Sequence, residues 1–131
     1  MARTRTKKPK SPVVLVVEDE ENVRVLVESN IAELGYETLS AANGTEALAL
    51  LKENTRVTLL FTDINIPDGP DGLDLAHQAV ELRPKLRVLY TSGGGKTDGM
   101  VARFVTGATF LPKPYTLEQL AAAFREMLDK A

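Results

Sequence analysis

The sequence contains no cysteine, and its uninterrupted apolar runs are short. Without cysteine the chain has no disulfide bond, no zinc site built from thiolates and no thiol nucleophile, and it is compatible with a reducing compartment. Its longest apolar runs have five or six residues. About 20 are needed to span a bilayer, and the N-terminus lacks the apolar segment of a secretory signal. We therefore expect a cytoplasmic protein without a membrane segment.

Acidic residues are almost absent from one end of the chain. Residues 1–11, MARTRTKKPKS, carry five basic and no acidic side chains, so the remainder holds 11 basic and 18 acidic residues, a net charge of −7. We predict a disordered basic tail over 1–11 and a single domain over 12–131, which at 44% hydrophobic can bury a core. Such a tail can also contact nucleic acid or anionic lipid. Since it has no aromatic residue to stack on bases, we expect no direct nucleic-acid binding.

Two kinds of segment alternate after residue 12. Short β-branched runs are continuous, as in strands covered on both faces. Three are strong and two are weaker: VVLVV (13–17), VTLLF (57–61), LRVLY (86–90), YETLSA (36–41) and ATFL (108–111).

Helical stripes lie between and after these runs. Gly35 is a stop signal for the first helix, and Thr116 with Gln119 forms a capping box for the fifth. The glycine-rich region GGGKTDGMVARFVTGA predicts a short, mobile fourth helix. The stripes of the other four helices are Val23, Leu26, Val27, Ile31 and Leu34; Ala47, Leu48 and Leu51; Leu73, Ala76 and Val80; Leu117, Leu120, Ala121, Phe124 and Leu128.

Five strand-helix units in about 120 residues predict an α/β fold, a (βα)₅ doubly wound parallel sheet with helices on both faces. In such sheets ligands bind beyond the carboxyl ends of the strands. The residues at those ends are therefore the candidates for chemistry.

Charged and hydroxyl side chains follow four of the predicted strands. Glu18 and Asp19 come after the first, Asp63 after the third, Ser92 after the fourth and Lys113, between two prolines, after the fifth. Crowded carboxylates require a cation, and an all-oxygen set favours Mg²⁺. A lysine and a hydroxyl complete an anion site. The set predicts metal-assisted phosphoryl transfer with Asp63 as nucleophile and Lys113 directed at the phosphoryl group.

Taken singly, each of these residues has an ordinary structural interpretation. Acids after a strand often cap the next helix, as Glu18 and Asp19 could. Ser92 by itself is a typical turn residue, and a lysine beside proline is common in loops. Only their joint placement at four strand ends favours a functional site.

The chain from about residue 12 to 131 resembles the receiver domain of bacterial two-component response regulators, of the stand-alone single-domain type. The motifs VVEDE, FTDINIP, PDGLDL, YTSG and LPKPYT occur in the family's order. The resemblance implies the flavodoxin-like strand order 2-1-3-4-5. It also implies Asp63 as phosphoacceptor, Mg²⁺ bound by Glu18, Asp19, Asp63 and the Asn65 backbone carbonyl, and Lys113 paired with the phosphoryl oxygens over a cis bond to Pro114.

The resemblance further implies two switch residues. Ser92 matches the switch hydroxyl because a small residue follows it, and Thr91 is the competing assignment. Phe110, three residues before Lys113, matches the aromatic switch position, where the family often has tyrosine. Lacking a hydroxyl, Phe110 should prefer burial.

One departure concerns the loop after Asp63. The family usually advances seven residues from the phosphoacceptor to the aspartate-glycine pair, whereas Asp71 lies eight residues on. The glycine and prolines of the loop can absorb the added residue as an extra turn. We expect it to reshape access to Asp63 without abolishing the chemistry.

Three other motifs do not support a different function. GGGKT (93–97) lacks the first glycine of a nucleotide-binding loop, since position 90 is Tyr. The segment DINI is similar to the nucleophile loop of haloacid-dehalogenase phosphatases, but Asn65 stands where their second aspartate would be. His77, the only histidine, has no partner acid in sequence and is interpreted as a surface or partly buried side chain.

The resemblance therefore implies a phosphorylatable signalling module and no enzyme beyond its own phosphorylation and dephosphorylation. Its partners would be a sensor histidine kinase or a histidine phosphotransfer protein, and an unidentified downstream protein. The alternatives are a stand-alone regulator, a phosphorelay intermediate and a pseudo-receiver that serves as a constitutive binding surface. The intact set of site residues favours the phosphorylatable forms.

Overall fold

The computed structural model describes residues 12–129. The predicted disordered tail over 1–11 lies outside these residues, so it stays a prediction.

Five parallel strands form one sheet in the order β2-β1-β3-β4-β5. This confirms both the predicted fold class and the strand order implied by the resemblance. Every residue of the first strand is buried, as expected for a continuous apolar run at the centre of a covered sheet. The strands are β1 (Val13–Val17), β2 (Glu37–Ala41), β3 (Val57–Asp63), β4 (Arg87–Ser92) and β5 (Thr109–Pro112).

Helices cover both faces of the sheet. The buried side chains of α1 and α5 pack against one face of the sheet and form one core with side chains of its strands. The buried side chains of α2 and α3 pack against the opposite face and form a second core. Each core therefore lies between one sheet face and one helix layer. The helices are α1 (Glu21–Glu33), α2 (Gly44–Glu53), α3 (Gly72–Leu82), α4 (Asp98–Ala102) and α5 (Leu117–Phe124), with a π-helical turn at Arg125–Asp129 continuing α5.

Local sequence signals set the helix ends. Gly35 has φ +99° just beyond α1, a conformation that favours glycine. Thr116 accepts a hydrogen bond from the Gln119 amide while the Gln119 side chain accepts one from the Thr116 amide, which confirms the capping box. The fourth helix has only five residues, as its glycine-rich sequence predicted.

The predicted burial of two leucines was wrong. Leu26 is 60% exposed on α1 and Leu117 is 44% exposed at the start of α5. In α5 the buried stripe is turned toward Ala123 and Met127, so a leucine at the margin of the apolar stripe faces solvent. The strands β3 and β4 also extend farther than predicted and end on Asp63 and Ser92.

No helix among residues 12–129 is long and apolar enough to cross a membrane.

Candidate functional site

Three of the predicted charged residues meet at the carboxyl edge of the sheet. Lys113 Nζ lies 2.7 Å from Asp63 Oδ2 and 3.3 Å from Glu18 Oε1. The strands β1, β3 and β5 deliver these side chains, because parallel strands end at the same edge. The peptide bond between Lys113 and Pro114 is cis, as the resemblance implied.

The two carboxylates are buried and the lysine is not. Glu18 is 6% exposed and Asp63 is 8% exposed, whereas 30% of the Lys113 side chain is exposed. Burial by itself lowers the pKa of Lys113, but its hydrogen bond to Asp63 and the charges of Asp63 and Glu18 outweigh this and raise the pKa above its ordinary value. The ammonium therefore stays charged at neutral pH between two acids.

The remaining oxygen atoms of Asp63 accept hydrogen bonds from residues next to it in the chain. The Asn65 amide donates to Asp63 Oδ1 at 3.0 Å, and the Thr62 hydroxyl donates to the Asp63 carbonyl at 2.9 Å. Each carboxylate oxygen thus accepts one hydrogen bond and keeps lone pairs for a further ligand or for attack. This arrangement holds the carboxylate in one orientation.

Glu18 has supports that the sequence did not point to. The Glu20 amide donates to Glu18 Oε2 at 3.1 Å, Arg24 Nη1 donates to the Glu18 carbonyl at 2.8 Å, and the Glu18 amide donates to the Ala41 carbonyl at 3.1 Å. The only sequence signal for Arg24 is its place on the first turn of α1. These contacts connect the end of β1 to α1 and β2.

The two candidate switch hydroxyls have different partners. Thr91 Oγ1 donates to the Leu111 carbonyl at 2.6 Å, toward β5. Ser92 is 1% exposed, and its Oγ accepts from the Gly94 amide at 3.2 Å and from Asn65 Nδ2 at 3.5 Å. The structure therefore brings the Ser92 hydroxyl, and not the Thr91 hydroxyl, to the loop that follows Asp63, although the Thr91 carbonyl accepts the Ile64 amide at 2.9 Å.

Phe110 lies half-buried on β5, at the end of a row of aromatic rings. Its ring stacks on Phe104 at a centroid distance of 6.0 Å, and Phe104 stacks on Tyr90 at 4.4 Å. Lys96 Nζ lies over the Phe110 ring, 5.9 Å from its centroid. Tyr90 is fully buried, and its hydroxyl accepts a hydrogen bond from the Val105 amide at 3.2 Å.

The other predicted site residues, Asp19 and Asn65, are exposed. Within residues 12–129 no group of three or more His, Cys, Asp or Glu side chains forms a complete metal-binding set. The buried Glu18 and Asp63 carboxylates with the neighbouring Asp19 nevertheless fit Mg²⁺ in donor chemistry, since this ion takes one or two carboxylates and completes its shell with water and phosphate oxygens. A cation there would compete with Lys113 for the same oxygens.

His77 is not part of this site. Its Nε2 lies 2.6 Å from the carbonyl oxygen of Arg103, and Arg103 Nη2 forms an ion pair with Asp74 at 2.6 Å. These exposed contacts join α3 to the end of α4. His77 is exposed, as the sequence predicted.

A five-stranded parallel sheet with an acid pair and a lysine at its carboxyl edge characterises one class of α/β proteins. The response regulator receiver domain family matches residues 14–125, and the chain belongs to it. Receiver domains accept phosphoryl groups in two-component signalling.

Individual relatives agree with this. The chain is 34% identical over 123 residues to the sensor kinase CckA of Brucella abortus, a match that covers 92% of this chain and 13% of CckA. It is 28% identical to sporulation initiation phosphotransferase F of Bacillus subtilis over 88% of this chain and 92% of that protein. The chain thus spans less than a quarter of the first three curated relatives it matches.

Solved structures show the same architecture. The receiver domain of the hybrid histidine kinase CckA is 36% identical, with a TM-score of 0.76 over 88% of this chain and 98% of that one. A response regulator receiver domain protein of Clostridium thermocellum is 26% identical, with a TM-score of 0.83 over 91% and 95% of the two chains.

Proposed function

We propose that this protein is a phosphorylatable receiver in a two-component or phosphorelay pathway, with Asp63 as the phosphoacceptor. The observation that carries the proposal is the Lys113 ammonium, which lies 2.7 Å from a buried aspartate at a strand end. A charged lysine beside a carboxylate nucleophile is suited to neutralise phosphoryl oxygens as they arrive.

In the proposed reaction an Asp63 carboxylate oxygen attacks the phosphorus of the donor. A new O–P bond forms, and the bond from phosphorus to the donor nitrogen or oxygen breaks with its electron pair leaving on the donor. Lys113 moves from Asp63 Oδ2 to the phosphoryl oxygens, and the Asn65 amide keeps Asp63 Oδ1 in place. Catalysis is confined to this protein's own phosphorylation and dephosphorylation.

Glu18, Asp19, Asp63 and the backbone carbonyl of Asn65 would hold Mg²⁺. When bound, the ion supplies charge neutralisation between the acids and the incoming phosphoryl group. Receiver domains are generally Mg²⁺-dependent, and the oxygen-rich donor set around Asp63 supports this role here.

The donor we propose is a sensor histidine kinase or a histidine phosphotransfer protein in the cytoplasm. The relatives named as a sensor kinase and as a phosphotransferase support this choice. The recipient of the signal is a further protein that binds the face formed by α4, β5 and α5. Ser92 and Phe110 would act as the switch between Asp63 and that face.

The test is phosphorylation by acetyl phosphate with and without Mg²⁺, followed by intact-mass spectrometry. We expect one phosphoryl group on the wild-type protein with Mg²⁺ and none without it, and Asp63→Asn should abolish the addition. Asp68→Asn is a matched control, because it makes the same change five residues away at an exposed position with φ +58° that asparagine tolerates.

Equal labelling of the Asp63→Asn variant would place the nucleophile elsewhere. No labelling of the wild-type protein by acetyl phosphate or by a histidine kinase would instead favour a binding surface that needs no phosphorylation.

A further inference from the structure

The loop that follows Asp63 is closed on itself. The Gly72 amide donates to the Ile64 carbonyl at 2.8 Å. A Cβ atom on Gly72 would overlap the Asp63 carbonyl oxygen and would lie only 2.6 Å from Ile64 Cα. The end of the loop therefore rests directly on the backbone of Asp63, and a displacement of the loop end displaces the phosphoacceptor strand.

The outer part of this loop rests on the first turn of α2. A Cβ atom on Gly44 would lie 2.8 Å from Pro70 Cγ and 2.9 Å from the Pro70 carbonyl oxygen. At Gly69, where φ is +127°, a Cβ atom would lie 2.8 Å from Thr45 Oγ1. Such separations are too short for real Cβ atoms, so this approach requires glycine on both segments.

The first turn of α2 is itself firmly held. The side chain of Asn43 accepts a hydrogen bond from the Glu46 amide at 2.9 Å, and the Glu46 carboxylate accepts one from the Ala42 amide at 2.8 Å. The first of these bonds caps the helix, and the second ties the Glu46 side chain to the residue before the cap. Just before it, the Ala41 carbonyl accepts the Glu18 amide at 3.1 Å.

One short segment, residues 41–45, therefore contacts both halves of the acidic site. Its first residue holds the backbone of Glu18, and its last two support the loop that begins at Asp63 and includes Asn65. The distance between the Glu18 end and the Asn65 end of the site depends on how closely Gly44 approaches Pro70. We infer that Gly44 and Thr45, which approach Pro70 and Gly69 of the loop, are positioning residues that set the geometry of the acidic site through the loop.

The length of this loop, residues 64–71 between β3 and α3, explains why a support is needed. The loop contains two positive-φ residues, Asp68 and Gly69, and two prolines. A longer loop has more conformations to lose, and a fixed contact on α2 restricts them. Pro70 lies two residues before Gly72. A displacement of Pro70 therefore also changes the contact between Gly72 and the Asp63 carbonyl.

The inference rests on the proposed function, because the acidic site is the proposed phosphorylation site. Its test does not require phosphorylation. The test is Gly44→Ala, measured first in the metal-free protein by the amide shift and hydrogen exchange of Asn65. Alanine is the better helix former, so a helix effect alone would favour the variant. We expect a shifted, faster-exchanging Asn65 amide because its bond to Asp63 Oδ1 is distorted. Mg²⁺ binding should be roughly tenfold weaker, the lower end of the loss from an outer support of a metal site.

Two further variants separate positioning from general loss of stability. Ala49→Gly lies on the exposed face of α2 and removes a methyl group, so it weakens the helix without pushing the loop. It should lower Tm and leave the Asn65 amide and the Mg²⁺ affinity unchanged. In the double variant Gly44→Ala with Pro70→Ala, loss of the Pro70 ring relieves the contact with Cγ, so part of the Mg²⁺ affinity should return.

The outcomes distinguish this inference from the proposed function. An unchanged Asn65 amide and Mg²⁺ affinity within twofold of wild type in Gly44→Ala would overturn the inference, whatever the phosphorylation result. Losses that add in the double variant would also overturn it, because they would mean that Gly44 and Pro70 act independently. If the wild-type protein is not phosphorylated, the proposed function fails and the Asn65 amide still decides the inference.

Discussion

At the scale of single residues, Lys113 balances two buried acids with one charge. Glu18 and Asp63 lie within 3.3 Å and 2.7 Å of the same ammonium nitrogen. One positive charge leaves this trio with a net charge of −1 before Asp19 is counted. A buried charge without a compensating partner is energetically costly, and here two buried carboxylates share one ammonium group. The trio is therefore arranged to accept a further cation and, with it, an anionic phosphoryl group.

The two neighbouring acids at the end of β1 should contribute unequally to Mg²⁺ binding. Glu18 is buried, and its oxygens already accept from Lys113 and from the Glu20 amide, whereas Asp19 is exposed and has the shorter side chain. We predict that Asp19→Ala weakens Mg²⁺ binding by roughly tenfold or more and that Glu18→Ala has a smaller effect.

A Mg²⁺ titration that follows the Asn65 amide would measure both affinities, with Glu20→Ala as an exposed acidic control. A larger loss in Glu18→Ala than in Asp19→Ala would reverse the assignment of the two carboxylates.

At the scale of elements, a row of aromatic rings connects β4 to β5 through the segment after α4. Tyr90 belongs to β4, Phe104 to the connection that follows α4, and Phe110 to β5. The Tyr90 hydroxyl also accepts the amide of Val105. The short α4 makes few core contacts of its own, with no buried residue, so this row is a main attachment of the α4 region to the sheet.

Tyr90→Phe should test that attachment. The variant leaves the Val105 amide buried without its acceptor, which should lower the free energy of unfolding by about 1–3 kcal/mol at neutral pH. Phe104 and Phe110 can still stack, so the fold should persist. Urea unfolding, with hydrogen exchange of the Val105 amide, would measure the loss, and an unchanged Val105 exchange rate would contradict the role given to the hydroxyl.

The same variant should change the response to alkaline pH. Burial raises the pKa of Tyr90, and the hydrogen bond from Val105 only partly offsets it. An acidic group whose pKa is higher in the folded protein than in the unfolded chain favours the folded state while it is neutral. This contribution to stability is fully present below the pKa of the unfolded chain, about 10 for tyrosine. This contribution is lost as the pH rises through the folded pKa.

The stability of the wild-type protein should therefore fall more steeply above about pH 10 than that of Tyr90→Phe. Unfolding free energies measured at pH 8 and pH 11 would show whether the two curves converge. Parallel curves would mean that Tyr90 does not titrate with folding.

At the scale of the whole molecule, phosphorylation at the carboxyl edge of the sheet must change the conformation of the face formed by α4, β5 and α5. The proposed group adds nearly two negative charges at Asp63 and offers oxygens to Ser92 and Lys113. Ser92 is adjacent to the glycine-rich segment 93–95, and Phe110 lies at the end of the aromatic row. A ligand shifts an equilibrium only by its differential contacts with the two states. The inward movement of Ser92 would be such a contact.

Beryllofluoride with Mg²⁺, as a phosphoryl mimic, should therefore shift backbone amides across residues 93–105 and 108–120 as well as at the site. Because Phe110 lacks a hydroxyl, we expect the inward rotamer to be populated already, and so a smaller change than a tyrosine would give. Ser92→Ala should reduce these distant shifts while Asp63 remains phosphorylatable. Shifts confined to the residues around Asp63 would exclude α4, β5 and α5 as the output face.

The five strand-helix units were predictable from the sequence, because each depends on local patterns. Continuous apolar runs marked the buried strands, and a capping box and Gly35 marked helix ends. The sequence also indicated which acids, hydroxyl and lysine stand at strand ends, since a parallel sheet brings all carboxyl ends to one edge. The resemblance to receiver domains then assigned their roles, and the family match agrees with that resemblance.

Tertiary structure was needed to show which side of a helical stripe faces the core. Leu26 and Leu117 fit the helical period and yet are exposed, because an apolar stripe is wider than the line along which a helix touches the sheet. It alone showed that Arg24 reaches the Glu18 carbonyl and that Gly44 approaches Pro70 too closely for a Cβ atom. These contacts join segments distant in sequence, and their geometry depends on how whole helices and loops pack, which no local pattern records.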